Sequence, residues 1–141
     1  MNQQQWKRAV AAMVVVLGVA VVAANEKAPA SFAEAMKGIN ATNMKLRGHV
    51  TAKDFDGVAA DAAALKPFAE TTLKFWQEKK VEDAVKAATD LNKAVADLAA
   101  AAKAKDEAAL GAASQAMGAT CRTCHTAHRS ERLPDGTYEI K

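Results

Sequence analysis

"VEDAVKAATDLNKAVADLAAAAKAKDEAALGAASQAM", residues 81–117, reads as one helix, a turn and the start of another. Ala84, Ala88, Leu91, Val95, Leu98 and Ala102 alternate steps of four and three, so they share one face of a helix that starts near Val81. "KAKDEA" interrupts the pattern, and Asp106 is placed to cap the helix that follows. Leu110, Ala113 and Met117 resume an inward stripe, which Cys121 and Cys124 continue. Two striped helices joined by so short a turn lie antiparallel, and their apolar faces need more helices against them.

Those helices lie upstream. Ser31 and Glu34 have the capping-box spacing. Phe32, Met36, Ile39, Asn43, Leu46 and Val50 then form the stripe of a first helix. "TAKDFDG" ends it, and a second helix runs from about Asp54 with Val58, Ala62, Leu65 and Phe68 inward. Pro67 lacks an N–H and crowds the preceding turn, so it is expected to bend or end that helix. "ETTLKFWQEKK" then reads as a connection anchored by Trp76. No stretch shows sustained period-two alternation, so the expected fold is all-α, an antiparallel up-down four-helix bundle.

The stripes are rich in alanine, which forms helix well but contributes little apolar area. At about 25 cal/mol per Å² of buried apolar surface such stripes make a weak core. With aromatic residues only 5% of the chain, the bundle must either pack its backbones closely or enclose something apolar.

The chain opens "MNQQQWKRAVAAMVVVLGVAVVAANEKAPA". Lys7 and Arg8 precede an uncharged run from Ala9 to Ala24, and Val22-Ala23-Ala24 supplies small residues before Asn25. The run is shorter than the ~20 residues a spanning helix needs. Residues 1–24 therefore read as a signal peptide, with an uncleaved anchor as the alternative, and residues 25–141 as the folded, exported part. Without residues 1–24 the formal charge falls from +3 to +1, which leaves no basic footprint for nucleic acid.

Both cysteines of the chain sit in "TCRTCHTAHR", residues 120–129. Cys121, Cys124 and His125 stand at i, i+3 and i+4, on one face of the fourth helix. That spacing lets two thiolates add to the vinyl groups of one haem while the histidine reaches its iron. Three other readings stay open: a redox dithiol, a zinc site that could add His128, and free thiols or a local disulfide. A redox dithiol prefers a helix N-terminus, where the dipole lowers the thiol pKa. Structural zinc gathers ligands from more than one element. A disulfide across so few residues removes little chain entropy.

With this motif on the last helix, the chain resembles the class II c-type cytochromes, the cytochrome c prime family, over Ser31 to Arg129. The resemblance implies a four-helix bundle with one covalent haem c near the C-terminal helix, held by Cys121 and Cys124 with His125 as axial iron ligand. The family continues CxxCH with two residues, an aromatic and an arginine; "CHTAHR" keeps Arg129, which the resemblance places near the haem, but has His128 for the aromatic. "EAMKGINATNMKLRGH" is similar to the low-spin branch, in which a Met-Lys pair early in the first helix supplies the sixth iron ligand. By position that residue is Met36.

Helix geometry narrows the same choice. Met117 lies two turns, ~12 Å, from His125 on one helix and cannot reach the other side of a ligand His125 holds. Met44 is turned ~80° off the stripe from Met36. The competing reading of Met36 is plain core filler. His49 and His128 are expected at the surface, the latter beside a helix C-terminus that favours a cation. Asn43 faces inward and could hydrogen-bond a haem carboxylate or a neighbouring helix. The tail "RLPDGTYEIK" has turn chemistry at Pro134-Asp135-Gly136 and is expected to fold back on the bundle.

Two functions follow from the resemblance. One is a periplasmic electron carrier with His125 and Met36 on the iron, serving other redox proteins of the exported chain. The alternative is a five-coordinate protein binding nitric oxide or carbon monoxide. Neither is an enzyme. An uncleaved anchor would hold either at the inner membrane, and family members often pair through their first helices.

Overall fold

The computed structural model describes residues 25–141. The signal or anchor read at 1–24 lies outside the described residues. Four helices run α1 (Ala30–Ala52), α2 (Phe55–Lys79), α3 (Glu82–Ala104) and α4 (Glu107–His128), and a two-stranded sheet pairs β1 (Glu26–Lys27) with β2 (Glu139–Ile140). The helices have 23, 25, 23 and 22 residues, so they match in length and form an all-α bundle. Each neighbour in sequence packs on the next, while α4 and α1 barely touch, leaving one seam of the bundle open.

The turns between helices are abrupt. Lys53, Lys80 and Lys105 each take a left-handed conformation after a helix, with φ of 56°, 57° and 53°. Their N–H groups bond back into the last turn, which satisfies carbonyls the ending helix would leave free. Asp54 and Asp106 cap the helices that follow by accepting from the N–H of Gly57 and Ala109. Such caps contribute about 1 kcal/mol each. The capping box expected at Ser31 does not form. The N-cap is Pro29, with no side-chain cap, because the helix starts at Ala30, two residues before a Ser31 cap would start it.

Pro67 and the segment after it differ from expectation. Helix α2 continues through Pro67 to Lys79, so "ETTLKFWQEKK" is helix and not a connection. An internal proline costs ~3 kcal/mol. Here Pro67 is on the exposed face, while Val58, Ala62, Leu65, Ala69, Thr72 and Trp76 form one buried stripe on both sides of it. Burial of that stripe outweighs the lost hydrogen bond.

The core is divided. One cluster holds Leu46, Val58, Leu65, Leu91, Leu98, Leu110 and Met117 among its members. The other holds Phe32, Trp76, Ala84, Ala88 and Ile140. Gly38 lets a large side chain lie directly on the backbone of α1: a Cβ there would collide with the ring of Phe68.

The tail does fold back. Its turn closes with Leu133 N–H on Thr137 O at 2.9 Å and with Gly136 at φ 81°. Ser130 N–H donates to Glu139 O at 2.9 Å, Arg129 bridges to Ile140, and Ile140 is buried in the second cluster. The expectation of no strands is corrected by these pairs, two residues on each side and too short for any alternation to show.

Candidate functional site

Met36 packs against both core clusters, Cys121 against the first and Cys124 against the second. At this junction lies a cavity of about 240 Å³. Its walls come from all four helices: Met36, Asn43 and Arg47 on α1, Thr72 on α2, Ala88 and Leu91 on α3, and Cys121, Cys124 and His125 on α4. Arg129, just past α4, completes the lining. The motif residues and the methionine expected from the first helix therefore meet in one hollow, on opposite sides of the open seam. Met44 does not share it and is 70% exposed; Met117 is buried in the main core.

Burial sets the chemistry of the donors. It pushes the Cys121 thiol above its usual range, against a smaller opposing pull from Arg47. Burial, with Cys121 and Asp83 adding to it, raises Cys124 to about 11. Both are free and half-buried. An activated redox dithiol needs the reverse, a stabilised thiolate. Among the described residues no group of three or more His, Cys, Asp or Glu side chains is arranged to hold a metal ion. His125 is pulled below its usual value by burial first and by the Arg129 charge second. Its imidazole is thus neutral at neutral pH, the form that can donate a lone pair to iron.

These donors fit a covalent haem. Two sulfurs one turn apart and a neutral imidazole share one wall, a thioether stands on the opposite helix, and apolar Ile39, Ala87, Ala88 and Leu91 lie between. The cavity lining includes Arg47 and Arg129 and no carboxylate, which suits a group bearing carboxylates of its own.

The expectation that His128 is exposed is corrected. Its side chain is 14% exposed, its Nε2 lies 2.9 Å from Asp83 Oδ2, and its ring stands 5.0 Å from that of Trp76. The imidazole packs tilted at 47° against the Trp76 ring, and the Asp83 carboxylate answers its polar edge. Trp76 itself meets Phe32 and Phe75 edge-on, and its Nε1 is the one buried side-chain nitrogen or oxygen without a partner among the described residues. His49 lies apart from the cavity; its Nδ1 is 2.8 Å from Oδ2 of the buried Asp61.

Sequence reasoning missed Arg47 and Thr72 as parts of the site. Arg47 is eleven residues after Met36, three turns on the same face, and that spacing could have flagged it. Thr72 lay in a segment read as non-helical, which hid its facing.

Residues 67–129 match the family model described as Cytochrome C'. The match runs from the middle of α2 to the residue after α4 and takes in the whole CxxCH motif, but not Met36. No curated protein and no solved structure matches the chain.

Proposed function

We propose that the chain is a member of the cytochrome c prime family, which residues 67–129 match, and that it is an exported electron carrier with one covalent haem. The observation that supports this most is the junction cavity, which gathers Cys121, Cys124, His125 and Met36 around one hollow. Haem, when bound, supplies a one-electron iron couple. Cys121 and Cys124 would hold it through thioethers, and His125 would ligate the iron from the α4 side. Met36 would offer its sulfur from α1, and a methionine sulfur favours the reduced metal and raises the potential. Leu91, Ala88 and Ile39 would exclude water, so little solvent has to reorganise when the charge changes. Arg47 and Arg129 would face the haem carboxylates.

The match to the cytochrome c prime family model supports a haem carrier or gas binder rather than an enzyme. The apolar N-terminal run supports export to the periplasm, where other redox proteins would be its partners, with membrane anchoring if the segment is retained.

Visible spectra of the oxidised and reduced protein test the reading. Ligation by Met36 gives a low-spin ferric and a six-coordinate ferrous protein. Met36→Ala then turns the ferric spectrum high-spin, lowers the potential and speeds carbon monoxide binding, while Met44→Ala changes nothing. A wild-type ferrous spectrum already high-spin and unchanged by Met36→Ala would replace the carrier with the gas-binding alternative.

A further inference from the structure

The C-terminal tail meets the edge of the cavity at Arg129. Arg129 leaves α4 with its N–H still bonded to His125 O at 3.2 Å, and its backbone pairs with Ile140. Its guanidinium carbon lies 4.5 Å from the ring centroid of Tyr138, the face-on placement of a cation–π contact. The same arginine lines the cavity with His125 and Cys124. Tyr138 is 39% exposed and is held out by a hairpin whose other anchors, Ser130 and Ile140, are buried.

We propose that Tyr138 is a positioning residue: its ring fixes the Arg129 guanidinium at the cavity, and through that charge the tail sets the reduction potential of the bound group. The proposal rests on the haem reading above. A reduced iron centre carries one positive charge less than an oxidised one, so a fixed nearby cation favours reduction. An arginine free to swing into solvent is screened by water and contributes less.

The test is a double-mutant cycle read by the midpoint potential of the haem-loaded protein, with the ferric spectrum recorded alongside. Tyr138→Ala and Arg129→Gln should each lower the potential, and adding Tyr138→Ala to Arg129→Gln should lower it no further. Tyr138→Phe, which keeps the π face, should hold the wild-type value. Tyr138→Leu keeps apolar bulk without that face and should behave as the alanine variant, which covers the case in which alanine frees the whole tail. A wild-type potential in Tyr138→Ala and Tyr138→Leu overturns the proposal. So does an equal drop in the Arg129→Gln background, or a Tyr138→Phe protein that behaves like Tyr138→Ala. Failure of the haem reading is seen separately, as haem that leaves the wild-type protein on acid–organic extraction.

Discussion

Between α3 and α4, Ala100, Ala104, Ala109, Ala112 and Ala116 frame a groove of about 520 Å³ with Asp97 and Asp106 at its border. The junction cavity farther along α4 is smaller, about 240 Å³, yet its walls carry two thiols, an imidazole, a thioether and two guanidinium groups. Both hollows have the same origin: alanine leaves room wherever four helices of fixed radius meet. The groove lies beside a continuous core of Leu98, Leu110 and Leu65, so nothing need fill it. The cavity lies where the core divides. Emptiness alone therefore marks no site in this protein; donors facing a break in the core do.

The largest effect should come from removing the donors. A Cys121→Ala, Cys124→Ala double variant is expected to retain no haem after acid–organic extraction, whereas Ala109→Ser with Ala112→Ser in the groove retains all of it. Equal retention by both proteins would erase the distinction between the hollows.

Filling each hollow sharpens the contrast. Ala88 is 3% exposed on the cavity wall, so Ala88→Phe should cut haem incorporation strongly and cost about 1–3 kcal/mol through overpacking. Ala112→Phe, at an exposed groove position, should change stability by no more than ~0.5 kcal/mol in urea melts. A cavity that accepts phenylalanine without loss of haem would be in the wrong place.

Hydrogen exchange of the haem-free protein resolves the two regions without mutation. Amides near Leu98 and Leu110 should stay protected, while those around Ala88 and Cys121 should exchange about tenfold faster or more. Binding of haem to the folded state alone would close that gap. Uniform protection along α3 and α4 would show that the divided core is no weaker than the continuous one.

The smallest effect concerns Asp83, which the hydrogen bond from His128 holds below the ordinary carboxylate value of 3.8. A depressed carboxylate stabilises the folded state above its unfolded pKa, and the contribution fades as pH falls through the folded one. Asp83→Asn should therefore be slightly less stable than wild type at pH 6, with the difference vanishing below about pH 3. A difference that grows with acidity would have the wrong sign. Asp83 is solvent-exposed, so the change is small.

How far these features could be read beforehand depends on the kind of signal each carries. The stripes of α1, α3 and α4 were legible because apolar residues recur every three or four positions, and Asp106 was a legible cap. The end of α2 was not. Pro67 carries a strong local signal against helix, and only the burial of Ala69, Thr72 and Trp76 against α1 and α3 reverses it. Cys121, Cys124 and His125 stood out by spacing, and Met36 by its place on a stripe. The role of His128 was hidden because a histidine after the motif signals charge, while its packing depends on Trp76, fifty-two residues earlier in the chain. The two-residue strands gave no pattern at all.

Pairing Glu26 with Ile140 and Lys27 with Glu139 makes the described chain almost a closed ring. The ion pair of Glu26 with Lys79 and the bond from Lys141 N–H to His128 O at 3.1 Å draw both ends onto the same end of the bundle. Such a ring can be cut elsewhere. A short link from residue 141 to residue 25 would free the tight turns at Lys53, Lys80 and Lys105 to serve as new termini. Opened at Lys105, the permuted chain would begin with α4 and its two cysteines, so the helix made last would be made first while the set of contacts stayed the same.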